Sequence, residues 1–239
     1  MLIEDETESL ANRLLVFLHL VKTGGVSLHG ILEDVFGDDY FRHSQTKQVF
    51  LDSLDDERKQ QLKCISGHFR FGVHKKLSRE ALYVTVVREP IERMISLYNH
   101  KLRDGKLKKA AGDQQSIDQW MWDRVAERGK KVYTQCEAIC GHNRLEPAVE
   151  ILDRHFLLYC SMNQLSDMAV VLQEYLGVQE PQSLKRTHAH PGHLEKSVPS
   201  SPVVEAMRKK YEPDIRLNQY CHDRFQQVLS HHGRVSPSG

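Results

Sequence analysis

No apolar run in this chain approaches the ~20 residues of a membrane span; the longest, Leu14 to Val21, is already broken by His19. No charge of one sign dominates: Lys plus Arg is 33 against Asp plus Glu at 32, a net charge of +1. That balance lacks the basic field of a dedicated nucleic-acid or membrane-surface binder. There is no CxxC pair. The five cysteines (Cys64, Cys136, Cys140, Cys160 and Cys221) are odd in number and scattered. They suit a reduced compartment in which Cys serves as a small apolar residue. The opening MLIEDETESL is acidic, opposite in sign to a signal-peptide n-region, so cytoplasm is the expected location. What remains is an ordinary globular composition over 239 residues, 40% hydrophobic and 27% charged. A chain of this length buries about 70–75% of its unfolded surface and needs no disulfide staples.

Apolar runs at Leu14–Leu20, Leu82–Val87 and Phe156–Cys160, with a shorter one at Lys63–Ser66, read as strands. None of the three longer runs alternates cleanly, as expected of central parallel strands covered on both faces. Helical patterns lie between them. Pro90 suits a first turn, followed by Ile91, Ile95, Tyr98 and Leu102; Ser116–Arg128 and Gln164–Leu176 read the same way, the latter stopped by Gly177. This alternation predicts a three-layer α/β domain, a central and mainly parallel sheet flanked by helices. A single domain over 1–229 is expected, with 230–239 a flexible tail. Gln179–Pro202, rich in proline, is a long loop of the kind that often serves function.

The segment Leu14 to Leu32 is the most informative. A buried strand runs into Lys22, Thr23, Gly24, Gly25, Val26 and Ser27, then into a helical pattern through Leu28, Ile31, Leu32 and Val35. Two glycines let backbone N–H groups approach an anion, and a helix start points free donors and its positive dipole end at it. Lys22 adds a positive charge, and Thr23 and Ser27 add hydroxyls. A plain Gly-Gly turn between strand and helix would use the same residues. The segment does not match the G-x-x-x-x-G-K-[ST] loop of nucleotide triphosphatases, because here the Lys precedes the glycines.

That order resembles the 5′-phosphosulfate loop of sulfotransferases, whose carbohydrate-type members commonly read P-K-T-G-G-T-S-L. Val21 stands in place of the usual Pro and Val26 in place of the usual Thr, which removes one hydroxyl donor. TVVREPIERMISLYNH, Thr85 to His100, is similar to the second sulfotransferase signature, in which an Arg ends a strand and a Ser follows eight positions later. The resemblance gives Arg88 and Ser96 the 3′-phosphate of 3′-phosphoadenosine 5′-phosphosulfate (PAPS), and a guanidinium suits bidentate phosphate contact. Ser66-Gly67-His68 resembles the catalytic His-Gly-His segment of the heparan sulfate 2-O-sulfotransferase-like branch with its first His absent.

By the same resemblance the fold is P-loop-like and the loop Lys22 to Ser27 holds the phosphosulfate. His68 takes the proton of an attacking hydroxyl, and Lys22 stabilises the leaving oxygen without a metal. Arg186 and Thr187 fall where the family closes a basic loop over the nucleotide. The acceptor is a small molecule or, by the branch, a carbohydrate; no nucleic-acid partner and no membrane span are implied, and oligomeric state is not readable. Tyr98, His100, Trp120 and Trp122 are candidates for an acceptor pocket or for simple helix packing. His188, His190 and His193 lack a matched carboxylate or Cys and make no zinc signature. The substitutions at Val21, Val26 and Ser66 leave room for a different class, a nucleotide-binding or regulatory module without transfer activity. A nucleotide kinase is weakened by the displaced Lys.

Overall fold

β1 (Leu14–Leu18) is buried at every residue, because both faces of the sheet it belongs to are covered. The computed structural model describes residues 13–43, 51, 54–107, 115–128, 132–182, 184 and 197–233. Its strands continue with β2 (Tyr40–His43), β3 (Cys64–Gly67), β4 (Ala81–Val87) and β5 (Phe156–Ser161), ordered β2-β3-β1-β4-β5 with each neighbouring pair parallel. The expected three-layer α/β architecture is what forms. The helices are α1 (Val26–Phe36), α2 (Asp56–Gln61), α3 (Pro90–Arg103), α4 (Ile117–Val125), α5 (Gln135–Cys140), α6 (Leu145–His155), α7 (Leu165–Tyr175), α8 (Ser201–Lys210) and α9 (Glu212–His231).

Alternate residues of β1 build two cores. Leu14, Val16 and Leu18 pack with Cys136, Ile139, Ala148 and Leu152 of α5 and α6. Leu15 and Phe17 pack with Leu28 and Leu32 of α1 and with Met168 and Leu172 of α7. α9 packs against β5 and serves both sides, giving Leu217 and Cys221 to the first core and Phe225 and Leu229 to the second. A third cluster joins α3, α4 and α8 through Met94, Trp120 and Met207. All five cysteines are free, and all except Cys140 are buried, used as small apolar residues.

Three differences from the sequence reading stand out. β2 was not expected; YFRH is short and only partly covered, so it lacks the continuous apolar run of a central strand. β1 also ends at Leu18, not Leu20, because the chain turns away at His19 to begin the loop. α9 extends to His231, and residues 234–239 lie outside the described set.

The strand order puts the site in place. From β1 the chain goes outward to β2, returns to β3 beside β1, and then crosses to β4 on the other side. Leu18 of β1 is in register with Gly67 of β3 and Thr85 of β4. The loops that leave β3, β1 and β4 therefore emerge side by side at the carboxyl edge, where open α/β sheets bind ligands.

Candidate active site

The loop after β1 is shaped by two residues with positive φ, Lys22 at 69° and Gly24 at 80°. At Gly24 a side chain would also meet Met162 Cε at 3.1 Å and Leu165 Cδ2 at 3.2 Å. Gly25 is tighter: an added Cβ would lie 2.5 Å from His19 Cδ2 and 2.6 Å from Phe17 Cζ. Only glycine fits there without displacing two core rings. α1 then starts at Val26 with no side-chain cap and no acidic residue in its first turn, which leaves its positive end available to an anion. Thr23 is buried, and its hydroxyl donates to the Leu20 carbonyl at 2.8 Å, bracing the loop from within. Val26 is exposed beside it, and Ser27 is half-buried.

The residues brought to this loop are cationic. Arg88 leaves the end of β4 and its Nη1 donates to the Lys22 carbonyl at 3.3 Å. Burial, then the charges of Arg103 and Arg88, push the Lys22 ammonium below its usual range, against the pull of Asp104. Glu92 sits 3.4 Å from Arg88 Nε. A polyanion entering here would relieve this crowding of like charge. The backbone of Arg88 is clamped: its N–H donates to Gln135 Oε1 and its carbonyl accepts from Gln135 Nε2, both at 2.8 Å. Gln135 is held in turn by buried Asp214, which accepts the N–H groups of Gln135 and Cys136 at 2.7 and 2.9 Å and so completes the start of α5. Ser96 lies half-buried on α3, the helix that begins two residues after Arg88.

On the other side of β1, His68 follows β3 and is half-buried. Its Nδ1 lies 2.6 Å from the His19 carbonyl. A carbonyl only accepts, so this bond assigns the proton to Nδ1 and leaves Nε2 as the basic nitrogen of the neutral ring. His68 opens on a cleft of about 420 Å³ lined by His19, Val21, Phe69, Arg70, Arg93 and Tyr133 among others. The Arg70 guanidinium lies over the Tyr133 ring at 4.4 Å. Buried Arg93 ties the cleft wall to the loop, its Nε donating to the Val21 carbonyl and its Nη2 to the Tyr133 carbonyl, each at 3.0 Å.

Trp120 and Tyr98, considered for an acceptor pocket, are instead buried against each other in the α3–α4–α8 core. The aromatic residues beside His68 are Phe69 and Tyr133. Arg186 and Thr187 lie outside the described residues. Sequence reasoning missed His19, His29, Arg70 and Gln135. The signal was present for two of them, since His19 interrupts an apolar strand and His29 falls beside Leu28 and Leu32 on the buried face of α1. Among the described residues no group of three or more His, Cys, Asp and Glu is placed to hold a metal ion, and no helix is long and apolar enough to cross a membrane.

In this α/β protein the loop after β1, a strand-end arginine and an imidazole come together at the carboxyl edge of the parallel sheet, where the strand order changes sides about β1 and open α/β sheets bind ligands. The chain belongs to the sulfotransferase family, whose model matches residues 11–221. It is 26% identical over 193 residues to human heparan sulfate 2-O-sulfotransferase 1, covering 68% of this chain and 51% of that protein. The chicken protein of the same name is 27% identical over 193 residues with the same coverage. The chain thus spans about half the length of the curated relatives it matches. A sulfotransferase crystal structure from Alicyclobacillus acidocaldarius superposes with a TM-score of 0.55 at 12% identity, over 87% of this chain and 94% of that one, a likeness of fold.

Proposed function

We propose that this chain is an enzyme that moves a sulfuryl group from PAPS to a hydroxyl of a carbohydrate acceptor. The observation that carries the reading is the meeting of the Lys22 loop, Arg88 and His68 at the carboxyl ends of three adjacent strands, β1, β4 and β3. The cradle suits such a donor: the positive φ at Lys22 and Gly24 shapes the loop, the start of α1 has no side-chain cap, and Lys22, Arg88 and Arg103 crowd positive charge around it. The chain's membership of the sulfotransferase family and the names of its relatives support the class of reaction and a carbohydrate acceptor.

When bound, the donor supplies the sulfuryl group and departs as adenosine 3′,5′-bisphosphate. The loop from Lys22 to Ser27 would hold the phosphosulfate end through backbone donors, and Arg88 with Ser96 would hold the 3′-phosphate. Lys22 would neutralise charge that develops on the leaving oxygen, a task that fixed cations perform well inside a dry site. His68, with its Nδ1–H engaged by the His19 carbonyl, would receive the acceptor hydroxyl proton at Nε2. The cleft beside it would take the acceptor, with Tyr133 and Arg70 as its wall.

The test is transfer of radiolabelled sulfuryl from PAPS to a panel of soluble glycans and simple sugars, by the intact protein and by His68→Ala. The expected result is transfer to a carbohydrate hydroxyl, with kcat reduced about 10²–10⁴-fold in the variant. Binding of adenosine 3′,5′-bisphosphate should stay within about three-fold, since no donor contact is assigned to His68. Equal rates from both proteins would refute the assignment of the base, and absence of any transfer would refute the activity.

A further inference from the structure

The side chains of His19 and His29 have no part in the reaction just described, yet they form a polar network inside the sheet–helix interface. They are 8% and 2% exposed. His29 Nε2 and His19 Nδ1 share a hydrogen bond of 3.0 Å. The other ring nitrogen of His29, Nδ1, meets the Tyr40 hydroxyl at 2.8 Å and the Ser66 hydroxyl at 3.0 Å, and those two oxygens are 2.5 Å apart. Two imidazoles, a phenol and a serine from α1, the loop after β1, β2 and β3 are thus joined in one network. Four apolar side chains would fill the same space without the cost of burying polar groups. What an apolar filling would lack is control over how each ring is turned.

We infer that His19 and His29 are positioning residues for sulfuryl transfer, a buried imidazole pair that holds the base His68 in fixed relation to the donor loop. The inference rests on the reading of His68 as the base. His19 lies between the proposed base and Gly25 of the proposed donor loop. Its carbonyl receives Nδ1 of His68, and its ring packs on the His68 ring with centroids 4.6 Å apart. Its other neighbour is Phe17, stacked at 5.3 Å, and its edge fills the space that a Gly25 side chain would need. Left to these contacts alone, His19 could turn about its own side-chain bonds. The bond from His29 removes that freedom. Because His29 stands on α1, the helix whose start forms the donor cradle, the network links the cradle directly to the base.

The pair is unsuited to be the base itself. Burial first, then the neighbouring charge of His68, lowers the His19 imidazole to about 2. Burial and then Arg42 lower His29 to about 3. Both rings therefore stay neutral at the pH of the reaction, joined to each other by one hydrogen bond and, through Nδ1 of His29, to Tyr40 and Ser66. Reach and orientation are what they have to offer, and a displacement near 1 Å of a reacting group can lower a rate about 10²-fold.

The experiment compares the intact protein with His29→Leu, His29→Gln and Tyr40→Phe, by nitrogen-15 NMR of labelled histidine and by steady-state kinetics. In the intact protein His68 should carry its proton on Nδ1 when neutral, and in His29→Leu it should become a mixture of tautomers. We expect kcat to fall about 10–100-fold in His29→Leu, with affinity for adenosine 3′,5′-bisphosphate within about three-fold of the intact protein. His29→Gln, which keeps a donor and an acceptor on the side chain, should recover most of the loss. Tyr40→Phe, which alters no shape, should show a smaller fall of the same kind. The inference is overturned if His29→Leu retains kcat and an unchanged His68 tautomer. It is also overturned if the loss follows the unfolded fraction or nucleotide affinity without rescue by Gln. If His29→Leu does not fold, Tyr40→Phe decides the matter by the same readouts. Absence of transfer by the intact protein would remove the functional reading, while the tautomer of His68 remains measurable, so the two failures are separable.

Discussion

The two sides of β1 are built by different means. On the β4 side the proposed donor cradle is local: Lys22, Gly24, Gly25 and the start of α1 are contiguous, and they would act through backbone geometry and the end of a helix. On the β3 side the proposed base is set by residues far apart in the chain, with His68 resting on His19, His19 on His29, and His29 on Tyr40 and Ser66. A backbone cradle is written in a short stretch of sequence and tolerates few substitutions. A side-chain network can be assembled from many sequences, and its members can be changed one at a time with graded effects.

Gly25→Ala attacks both sides at once and should have the largest effect. The new methyl must displace the rings of His19 and Phe17. Overpacking of this kind costs about 1–3 kcal/mol, which for a chain of this size lowers Tm by roughly 2–4 °C per kcal/mol. The same shift disturbs the packing of the His19 ring on the His68 ring, so kcat should fall by about 10²-fold or more. Differential scanning calorimetry and the transfer assay check both. A Gly25→Ala protein with native Tm and native kcat would show that the cradle and the base are not in contact.

Protonation separates the two sides next. His19 and His29 have lowered folded-state pKa values, so below the unfolded-state value of about 6.5 the unfolded chain binds more protons than the folded one. Their contribution to stability is complete above about pH 6.5 and is lost as the pH falls toward the folded values. Each contributes up to about 1.4 kcal/mol per pH unit in that window. Urea midpoints between about pH 7 and 5 should decline steeply, and His29→Leu should flatten part of the decline. A flat profile in the intact protein would contradict the buried neutral pair.

The smallest of these effects is expected on the donor side. Gln135→Leu removes the clamp on the Arg88 backbone without touching its guanidinium. Affinity for a nucleotide bearing a 3′-phosphate should drop about ten-fold, the equivalent of about 1.4 kcal/mol, while AMP binding changes little. Calorimetric titration with the two nucleotides distinguishes this from a general loss of folding, in which both would weaken together.

The same contrast explains how much could be read from the sequence. The sheet was legible where strands are central, since LLVFL is apolar throughout and the run from Leu82 to Val87 is broken only by Thr85. It was illegible at β2, where YFRH is a short edge strand with mixed burial. Lys22, Gly24, Gly25 and Arg88 were legible because their spacing is local to one strand–loop–helix or one strand end. Gln135 and Asp214 were not, since their roles exist only once α5 and α9 meet β4. Trp120 shows the converse, an aromatic that sequence could offer to a pocket and that packing assigned to the core. Ser66, which read only as a missing imidazole, is a hydrogen-bond partner of an imidazole supplied from α1.

The Lys22 loop and Arg88 are proposed to form a site for a nucleotide with a 3′-phosphate. The measurement that tests it most directly is isothermal titration of the purified protein with adenosine 3′,5′-bisphosphate, beside AMP and ATP, repeated on Arg88→Ala. The account predicts binding near the micromolar range that requires the 3′-phosphate and weakens at least about ten-fold in Arg88→Ala. Equal binding of all three nucleotides, or binding indifferent to Arg88, would contradict it.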